Sequence, residues 1–503
     1  VRLVVGVDIG TQGTKTVVYR EDGLCVTEAF VRSRPHRPSP GVVEENPADQ
    51  VAAVVHTIKV CLENIGPDPR LIAGIALAGQ MAGIIGIDSR GNALTPYDSW
   101  LDVRCAPQIE AMRAHGDLVL RKTGNAPSFN HGPKILWWKA ERPEVYRRIR
   151  SFVQPAAYAA MRLAGLDASQ AFIDPTYLHF TGFADNVGLR WDTDLCSLFG
   201  VEASRLPRIV PCTTAVGTVT QEMSRLTGLP AGTPVIAGCG DTAASFLACG
   251  ATEPGVCVDV AGTASVFAAT TASFRPDTET GILGCGRSAI PGRWHPYAYI
   301  GGGGQNLEWF RTEILGGLRT FDELNGEAAA LADRDDDLPF FIPHLGGRVS
   351  PPCPTLRGSW AGLTWNATAG ALYRSILEGV ALEYTLYRDA VQSCFPEFAV
   401  REIRITGGGE KSRVWNQLKA DRLQARVVGI VRGGGAPLGA AMLAAVGTGV
   451  VADARTAAER WLALGPSVAP DPGTASLSRR RTEAYRRLLE ALRIWSGPTV
   501  FKP

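Results

Sequence analysis

Short apolar runs alternate with longer stretches whose apolar positions recur at helical spacing, and the alternation continues along most of the chain. Residues 3–7, 72–77, 234–237, 256–260 and 402–406 predict strands. Residues 47–63, 133–139, 368–391 and 414–426 predict helices, and the longest repeats Leu372, Ile376, Leu377, Val380 and Tyr384 along one face. Strands and helices that alternate in this way specify an α/β architecture. Two Pro-rich patches, 34–41 and 464–473, read as loops. A final helix is expected from Arg479 to Trp495, opening on a solvated basic face at Arg479, Arg480 and Arg481.

One pattern repeats. Residues 5–18 read VGVDIGTQGTKTVV and residues 256–269 read VCVDVAGTASVFAA. Each is an apolar strand, an Asp, a Gly-Thr turn and a second apolar strand. The copies lie about 250 residues apart in a chain of 503, which predicts two related domains with a boundary near Gly250. The expected division is 1–250 and 251–490, with a tail at 491–503.

Charge narrows the function classes. Lys plus Arg number 51 and Asp plus Glu 49, a net charge of +2, so there is no electrostatic footprint for nucleic acid or an acidic membrane. The 11 cysteines are scattered without CxxC or CxxH spacing, which argues for free thiols rather than a zinc or redox site. Residues 433–452 form the longest uncharged stretch, but Pro437 and several glycines interrupt it, so no membrane span is expected. The first residues read as a strand rather than a signal peptide. The expectation is a cytoplasmic protein.

The paired hairpins have a physical use. Glycine turns let a ligand approach the backbone, and successive amide N–H groups cradle phosphate oxygens. Thr11, Thr14 and Thr263 can add hydroxyl donors, Lys15 positive charge, and Asp8 a hold on hydrated Mg²⁺. At mid-chain, a strand runs into Gly238-Cys239-Gly240-Asp241-Thr242. Gly238, Gly240 and Ala243 fit a GxGxxA dinucleotide fingerprint, so a Rossmann dehydrogenase is one reading. Against it, no acidic residue ends a strand about 20 residues further on in a clear βαβ unit. A carboxylate at that turn would also repel pyrophosphate; it suits a general base acting on a hydroxyl. A third glycine cluster, Gly407-Gly408-Gly409, follows a strand and can receive a flat ring or ribose. No Walker A or protein-kinase motif set occurs.

The ordered segments DIGTQGTK, GCGDTAAS, DVAGTAS, ITGGGEKS and GAAMLAAVG resemble the phosphate, connecting and adenosine motifs of the actin-like ATPase superfold. Within it the chain resembles the FGGY carbohydrate kinases, xylulokinase-like sugar kinases most closely, over roughly residues 2–490. AGQMAG at 78–83, SWLDVR at 99–104, TGNAPSFNHGPKILWW at 123–138 and GSWAGLTWNATAGALYRSILEG at 358–379 match in order, with departures at His131 and Ala371.

The resemblance implies two ribonuclease-H-like domains flanking a deep catalytic cleft, with sugar bound mainly by the first and ATP by the second. It implies Asp241 as catalytic base, with Asp8 and Asp241 at Mg²⁺. Gly10, Thr11, Thr14 and Lys15 would face the transferring phosphoryl group, and Gly262 and Thr263 the β- and γ-phosphates. Gly304, Gly408, Gly409 and Ser412 would complete the nucleotide site. Phosphoryl transfer asks mainly for positioning and charge neutralisation, which this set supplies. By family analogy the chain would form a homodimer.

Sugar hydroxyls need dense hydrogen bonding from polar groups. The candidates are Gln80, Asp102, Arg104, Asn125 and Asp241, with Met81, Ala82 and Thr242 beside them and Trp100 as an apolar platform. Alternatives stay open: Trp100 as core packing, Arg104 as half of a structural ion pair, Asn125 as a cap or turn. His131 and His344 read as structural histidines, and Trp137 and Trp138 as core. Relatives usually carry a His where this chain has Ala82, and a polar residue at Leu101; PTYLHF at 175–180 is also unlike the common version. A ketopentose such as D-xylulose is the leading substrate, with a tetritol or pentitol of the erythritol or xylitol type as the alternative. A catalytically weak actin-like regulatory ATPase is the rival of a different class.

Overall fold

The computed structural model describes residues 2–66, 68–332, 337–432 and 434–496. The chain divides into two compact units. The first comprises Val1–Thr252, Cys285–Trp294 and Arg432–Leu462; the second comprises Glu253–Gly284, His295–Val431 and Ala463–Pro503. A single cut near Gly250 therefore misses two returns of the chain to the first unit. The apolar helix Gly435–Gly447 explains the longer one, because Leu438, Ala440 and Met442 bury against Val4, Ala76 and Ile236 of the first sheet. The expected tail at 491–503 begins inside the last helix, Ala475–Trp495, and its residues 497–503 lie outside the described residues.

The first unit is built on a six-stranded sheet in the order Ala215–Thr218, Pro234–Gly240, Ile72–Gly79, Leu3–Ile9, Gly13–Arg20, Cys25–Arg32. The three central strands run parallel and are buried on both faces. Alternation sorts their side chains. Leu3, Val5, Val7, Ile75 and Leu77 join a core with helices Pro47–Glu63 and Pro155–Ala164, whereas Val4, Ala76 and Ala78 face Asp241–Ala248 and Gly435–Gly447.

The second unit orders its strands Trp294–Ile300, Ser265–Ala269, Val256–Ala261, Glu402–Thr406, Val427–Arg432, Ala463–Val468. Each unit thus has a hairpin whose first strand runs parallel to a later strand. The helix Ala369–Cys394 fills the second core: Ile376, Leu377, Val380 and Tyr384 are fully buried, and Thr368 caps its N-terminus.

Three local expectations need correction. Arg481, expected on a solvated basic face, is buried and its guanidinium donates to both Glu378 oxygens, in a helix that begins at Ala475 rather than Arg479. The helix expected over 414–426 ends at Leu423, because Gln424 adopts φ +50° and Ala425 N–H closes onto the Ala420 carbonyl. The stretch expected as a loop at 464–473 is overlapped by the strand Ala463–Val468. It lies at the sheet edge, where Pro466 needs no ladder donor. Among the described residues no helix is long and apolar enough to cross a membrane.

Candidate active site

Asp8 and Asp241 reach each other through the strand order. Asp8 lies beside Ala78 in the parallel ladder, Ala78 beside Cys239, and Asp241 opens the helix that follows. Gly238 makes the transition possible. It sits at φ +73° where the register shifts, a backbone an L side chain rarely adopts. Asp241 is the first helical residue, and Thr242 donates to its Oδ1 through the amide at 2.6 Å and the hydroxyl at 3.1 Å. Burial pushes the Asp241 carboxyl up to about 6 against those two bonds. Asp8 is held well above the ordinary carboxylate range by burial and by the Asp241 charge, with Lys15 opposing.

Asp8 Oδ1 is buried with no hydrogen-bond partner, so a pair of confined carboxylates offers an unsatisfied oxygen. That chemistry fits a divalent cation. Mg²⁺ is an ion that one or two carboxylates hold together with substrate phosphates.

The first hairpin turn closes through Gly10 and Gly13, whose amides bond each other's carbonyls at 3.0 and 3.3 Å. Thr11 projects from it: its hydroxyl donates to Gln80 Oε1 at 3.4 Å and accepts from Trp100 Nε1 at 2.9 Å. Gln80 donates to Glu45, which burial raises above its usual range. Met81 lies over Gly240, where an added Cβ would meet its side chain at 2.7 Å. The structure therefore gathers Asp8, Gly10, Thr11, Gln80, Met81, Trp100, Asp241 and Thr242. Trp100 is 42% exposed, so it is not a core residue. Ala82 follows Met81 and is half-buried. Thr14 is buried in the strand opposite Ile9, and Lys15 is paired with Glu28 at 2.9 Å.

Asp102 and Arg104 behave differently. The Asp102 carboxylate is fully buried and accepts from Val43 N–H, Arg104 N–H and the Arg104 guanidinium. Burial would raise it, but the Arg104 bonds hold it below its usual range. Arg104 also pairs with Glu44 at 2.7 Å and Asp98 at 3.4 Å, and lies over the Trp137 ring. Asp102 is thus satisfied within the fold, and in this structure its carboxylate has no exposed surface for a sugar. Asn125 follows the helix Gly116–Thr123, and its carbonyl accepts from the Thr123 hydroxyl. His131 is buried, donates through Nε2 to the Met81 carbonyl at 2.5 Å, and is pushed down to about 4 by burial.

In the second unit, Gly304 N–H donates to the Gly262 carbonyl at 2.9 Å and Gln305 N–H to Thr263 at 3.1 Å. The helix start thus rests on the hairpin turn, and only a hydrogen at 304 fits, since a Cβ would stand 2.6 Å from Gly262 O. Gly409 packs against Ala261 and Trp415, while Gly408 faces open space. Ser412 caps the helix Arg413–Leu423 and bonds Asn325 at 2.9 Å. Gly262, Thr263, Gly304, Gly408 and Gly409 come together around one turn. His344 is a structural histidine, bonded to Glu383 at 2.8 Å.

Sequence reasoning missed Glu45, Asp174 and Thr176. Thr176 accepts the N–H of Gly240 at 2.9 Å, immediately before Asp241. The Asp-Pro-Thr run at 174–176, an Asx-turn pattern, was the available signal.

Residues 3–248 match the N-terminal domain of the FGGY family of carbohydrate kinases, and residues 257–448 its C-terminal domain. The chain belongs to the FGGY carbohydrate kinases. As such it is an ATP-dependent sugar kinase, which sets aside the dehydrogenase reading of Gly238, Gly240 and Ala243. The xylulose kinase of Escherichia coli (strain K12) is 29% identical, covering 97% of this chain and 99% of its own. The gluconokinase of Bacillus subtilis (strain 168) is 28% identical, covering 89% of this chain and 88% of its own. The crystal structure of xylulose kinase from Rhodospirillum rubrum superposes with a TM-score of 0.90 at 27% identity, over 98% of this chain and 100% of that one. This FGGY kinase therefore shares its two-domain mixed α/β fold with solved sugar kinases.

Proposed function

We propose that the protein phosphorylates a hydroxyl of a ketopentose, D-xylulose first, with Asp241 as general base. The observation that carries this is the Asp241 carboxylate itself. It is fixed by Thr242 at the start of a helix, is raised to about 6, and stands beside an Asp8 oxygen that has no protein partner. A carboxylate with that affinity for protons is ionised at neutral pH and can still accept a proton from a hydroxyl as the hydroxyl attacks.

Asp8 and Asp241 would hold Mg²⁺, which supplies neutralisation of phosphate charge. The turn at Gly10 and Thr11 would face the transferring phosphoryl group, with Thr14 and Lys15 next in the strand. Gly262 and Thr263 present the second turn to the remaining phosphates, and Gly304, Gly408, Gly409 and Ser412 form the adenosine side. Gln80, Met81, Ala82, Trp100 and Thr242 form the sugar wall, with Asn125 at its margin and Asp102 and Arg104 behind it. Trp100 offers a flat exposed face to the carbon skeleton while its indole nitrogen fixes Thr11.

D-xylulose leads because relatives spanning most of this chain are named xylulose kinase. A gluconokinase is 28% identical over 89% of this chain, and Ala82 leaves room for a larger or less oxygenated polyol, so gluconate, erythritol and xylitol belong in the same panel. The test is ADP formation with Mg·ATP across ketoses, aldoses, polyols and gluconate, with Asp241→Ala beside the parent. One compound should raise the rate well above slow background hydrolysis in the parent alone. Equal, unstimulated rates in both proteins would put the regulatory ATPase first. The homodimer and the cytoplasmic location belong to this proposal by family analogy.

A further inference from the structure

The sugar wall and the base come from the ends of two neighbouring parallel strands. Ile72–Gly79 leads into Gln80 and Met81, and Pro234–Gly240 leads into Asp241. Gly79 and Gly240 are direct partners in that ladder. Both are glycines at strand ends, so neither has a side chain with which to fix its own position. A third segment does it for them. The turn Pro175–Phe180 presents Thr176 Oγ1 to the Gly240 N–H at 2.9 Å and the Tyr177 hydroxyl to the Gly79 carbonyl at 3.0 Å. Consecutive residues of one turn thus hold the two paired glycines, one through its donor and one through its acceptor.

The turn is itself locked. Asp174 Oδ1 accepts the Thr176 amide at 2.9 Å and the Thr176 hydroxyl at 2.6 Å. The hydroxyl proton is thereby committed to Asp174, and the oxygen lone pair faces Gly240 as an acceptor. Asp174, Thr176 and Tyr177 are all buried, so this geometry does not compete with water. The Gly240 N–H is an orphan donor at the start of the Asp241 helix, and Thr176 is its acceptor. On the other side, His131 packs against the Tyr177 ring at 6.0 Å and bonds the Met81 carbonyl, which ties the same turn to the sugar wall.

We infer that the turn Pro175–Phe180 is the positioning device of the transfer: Thr176, oriented by Asp174, sets the position of Asp241, and Tyr177 sets the strand end carrying Gln80 and Met81. Thr176 and Tyr177 are positioning residues; neither touches a reacting atom. The inference rests on Asp241 being the base. It predicts a division of effects, because one contact serves the base and the other the sugar wall.

The experiment compares Thr176→Val, Thr176→Ser, Tyr177→Phe and Asp241→Asn with the parent in sugar-stimulated ADP formation, alongside thermal melting. Thr176→Val keeps the shape and loses the acceptor; it should lower kcat by about 10- to 100-fold while the KM for sugar and for ATP stays within about threefold. Thr176→Ser should restore kcat to within about threefold of the parent. Tyr177→Phe should raise the sugar KM by about 5- to 10-fold and leave kcat nearly unchanged. Parental kinetics in Thr176→Val overturn the inference, as does a loss of kcat that Ser does not rescue. If Thr176→Val does not fold, Tyr177→Phe decides: a parental sugar KM, or equal losses in kcat and KM, overturns it. Retained sugar-stimulated activity in Asp241→Asn signals instead that the base assignment has failed, a separate result.

Discussion

Asp241→Asn should make the ligand-free protein more stable while removing its sugar-stimulated activity. The carboxyl rises from the usual 3.8 to about 6 on folding, because burial penalises its charge more than Thr242 relieves it. Two units correspond to about 3 kcal/mol of lost stability at about 1.4 kcal/mol per unit, and screening at a partly exposed site reduces this to about 2 kcal/mol. The sign follows from proton binding. Below about pH 4 both folded and unfolded chains hold the proton, and the group is neutral to stability. Between about 4 and 6 the unfolded chain ionises first, so rising pH favours unfolding; above about 6 the full penalty applies. Asn keeps the carbonyl that accepts from Thr242 and carries no charge, and it also relieves Asp8 of its neighbour's repulsion. For a unit of this size, about 2 kcal/mol is a rise of roughly 4–8 °C in Tm. The assay is thermal melting without nucleotide or Mg²⁺, at neutral pH and near pH 4, for parent and variant. A variant that melts with the parent at neutral pH refutes the reasoning, as does a gain that persists undiminished in acid.

Three further outcomes follow from named contacts. In Glu383, burial raises the carboxyl, but Arg348, His344 and the Tyr485 hydroxyl outweigh it and hold it down to about 2. Glu383→Gln should therefore cost about 3 kcal/mol in denaturant unfolding at neutral pH, and the gap from the parent should close as pH falls from about 4.5 toward 2. Arg104→Met leaves Asp98, Asp102 and Glu44 without their guanidinium and should destabilise by about 3–5 kcal/mol, measured by the same titration. Gly304→Ala puts a methyl 2.6 Å from the Gly262 carbonyl; kcat/KM for ATP should fall about tenfold while the sugar KM holds, in initial rates with ATP varied.

Much of the fold was legible because alternation reads burial directly. Leu3, Val5 and Val7 against Val4 declare a strand buried on both faces, and the 47–63 periodicity gives its helix to the residue. The hairpin echo was legible for the same reason, as was the oddity of a carboxylate among Gly238, Gly240 and Ala243. Periodicity does not say which surface covers a face. The return of Gly435–Gly447 to the first sheet lies in the complementarity of two alanine-rich surfaces hundreds of residues apart. Polar residues were harder still. Asp102 and Arg104 read as sugar contacts because dense polar groups suit sugars, but an ion pair satisfied internally has the same composition. Thr176 was passed over because its partner, Gly240, is 64 residues away.

The two hairpins show how one pattern serves two tasks. Both place an Asp late in the first strand, fully buried at Asp259 and half-buried at Asp8. In the second unit, Asp259 is neutralised: Lys419 donates to it from the helix Arg413–Leu423, and Tyr384 donates at 2.7 Å from the helix Ala369–Cys394. Its charge is answered within the fold, and it pins the strand to two helices. In the first unit, Asp8 has an oxygen without a partner and a second carboxylate for a neighbour, an arrangement that raises its affinity for any cation. A confined charge left unanswered costs several kcal/mol, so without a cation Asp8 is driven toward its neutral form, and a cation would restore the carboxylate. The turn glycines are common to both hairpins. The difference between Asp8 and Asp259 is therefore one of partners: the second hairpin's aspartate is satisfied within the fold, and the first hairpin's keeps an oxygen free, which is what the proposed role at Mg²⁺ requires.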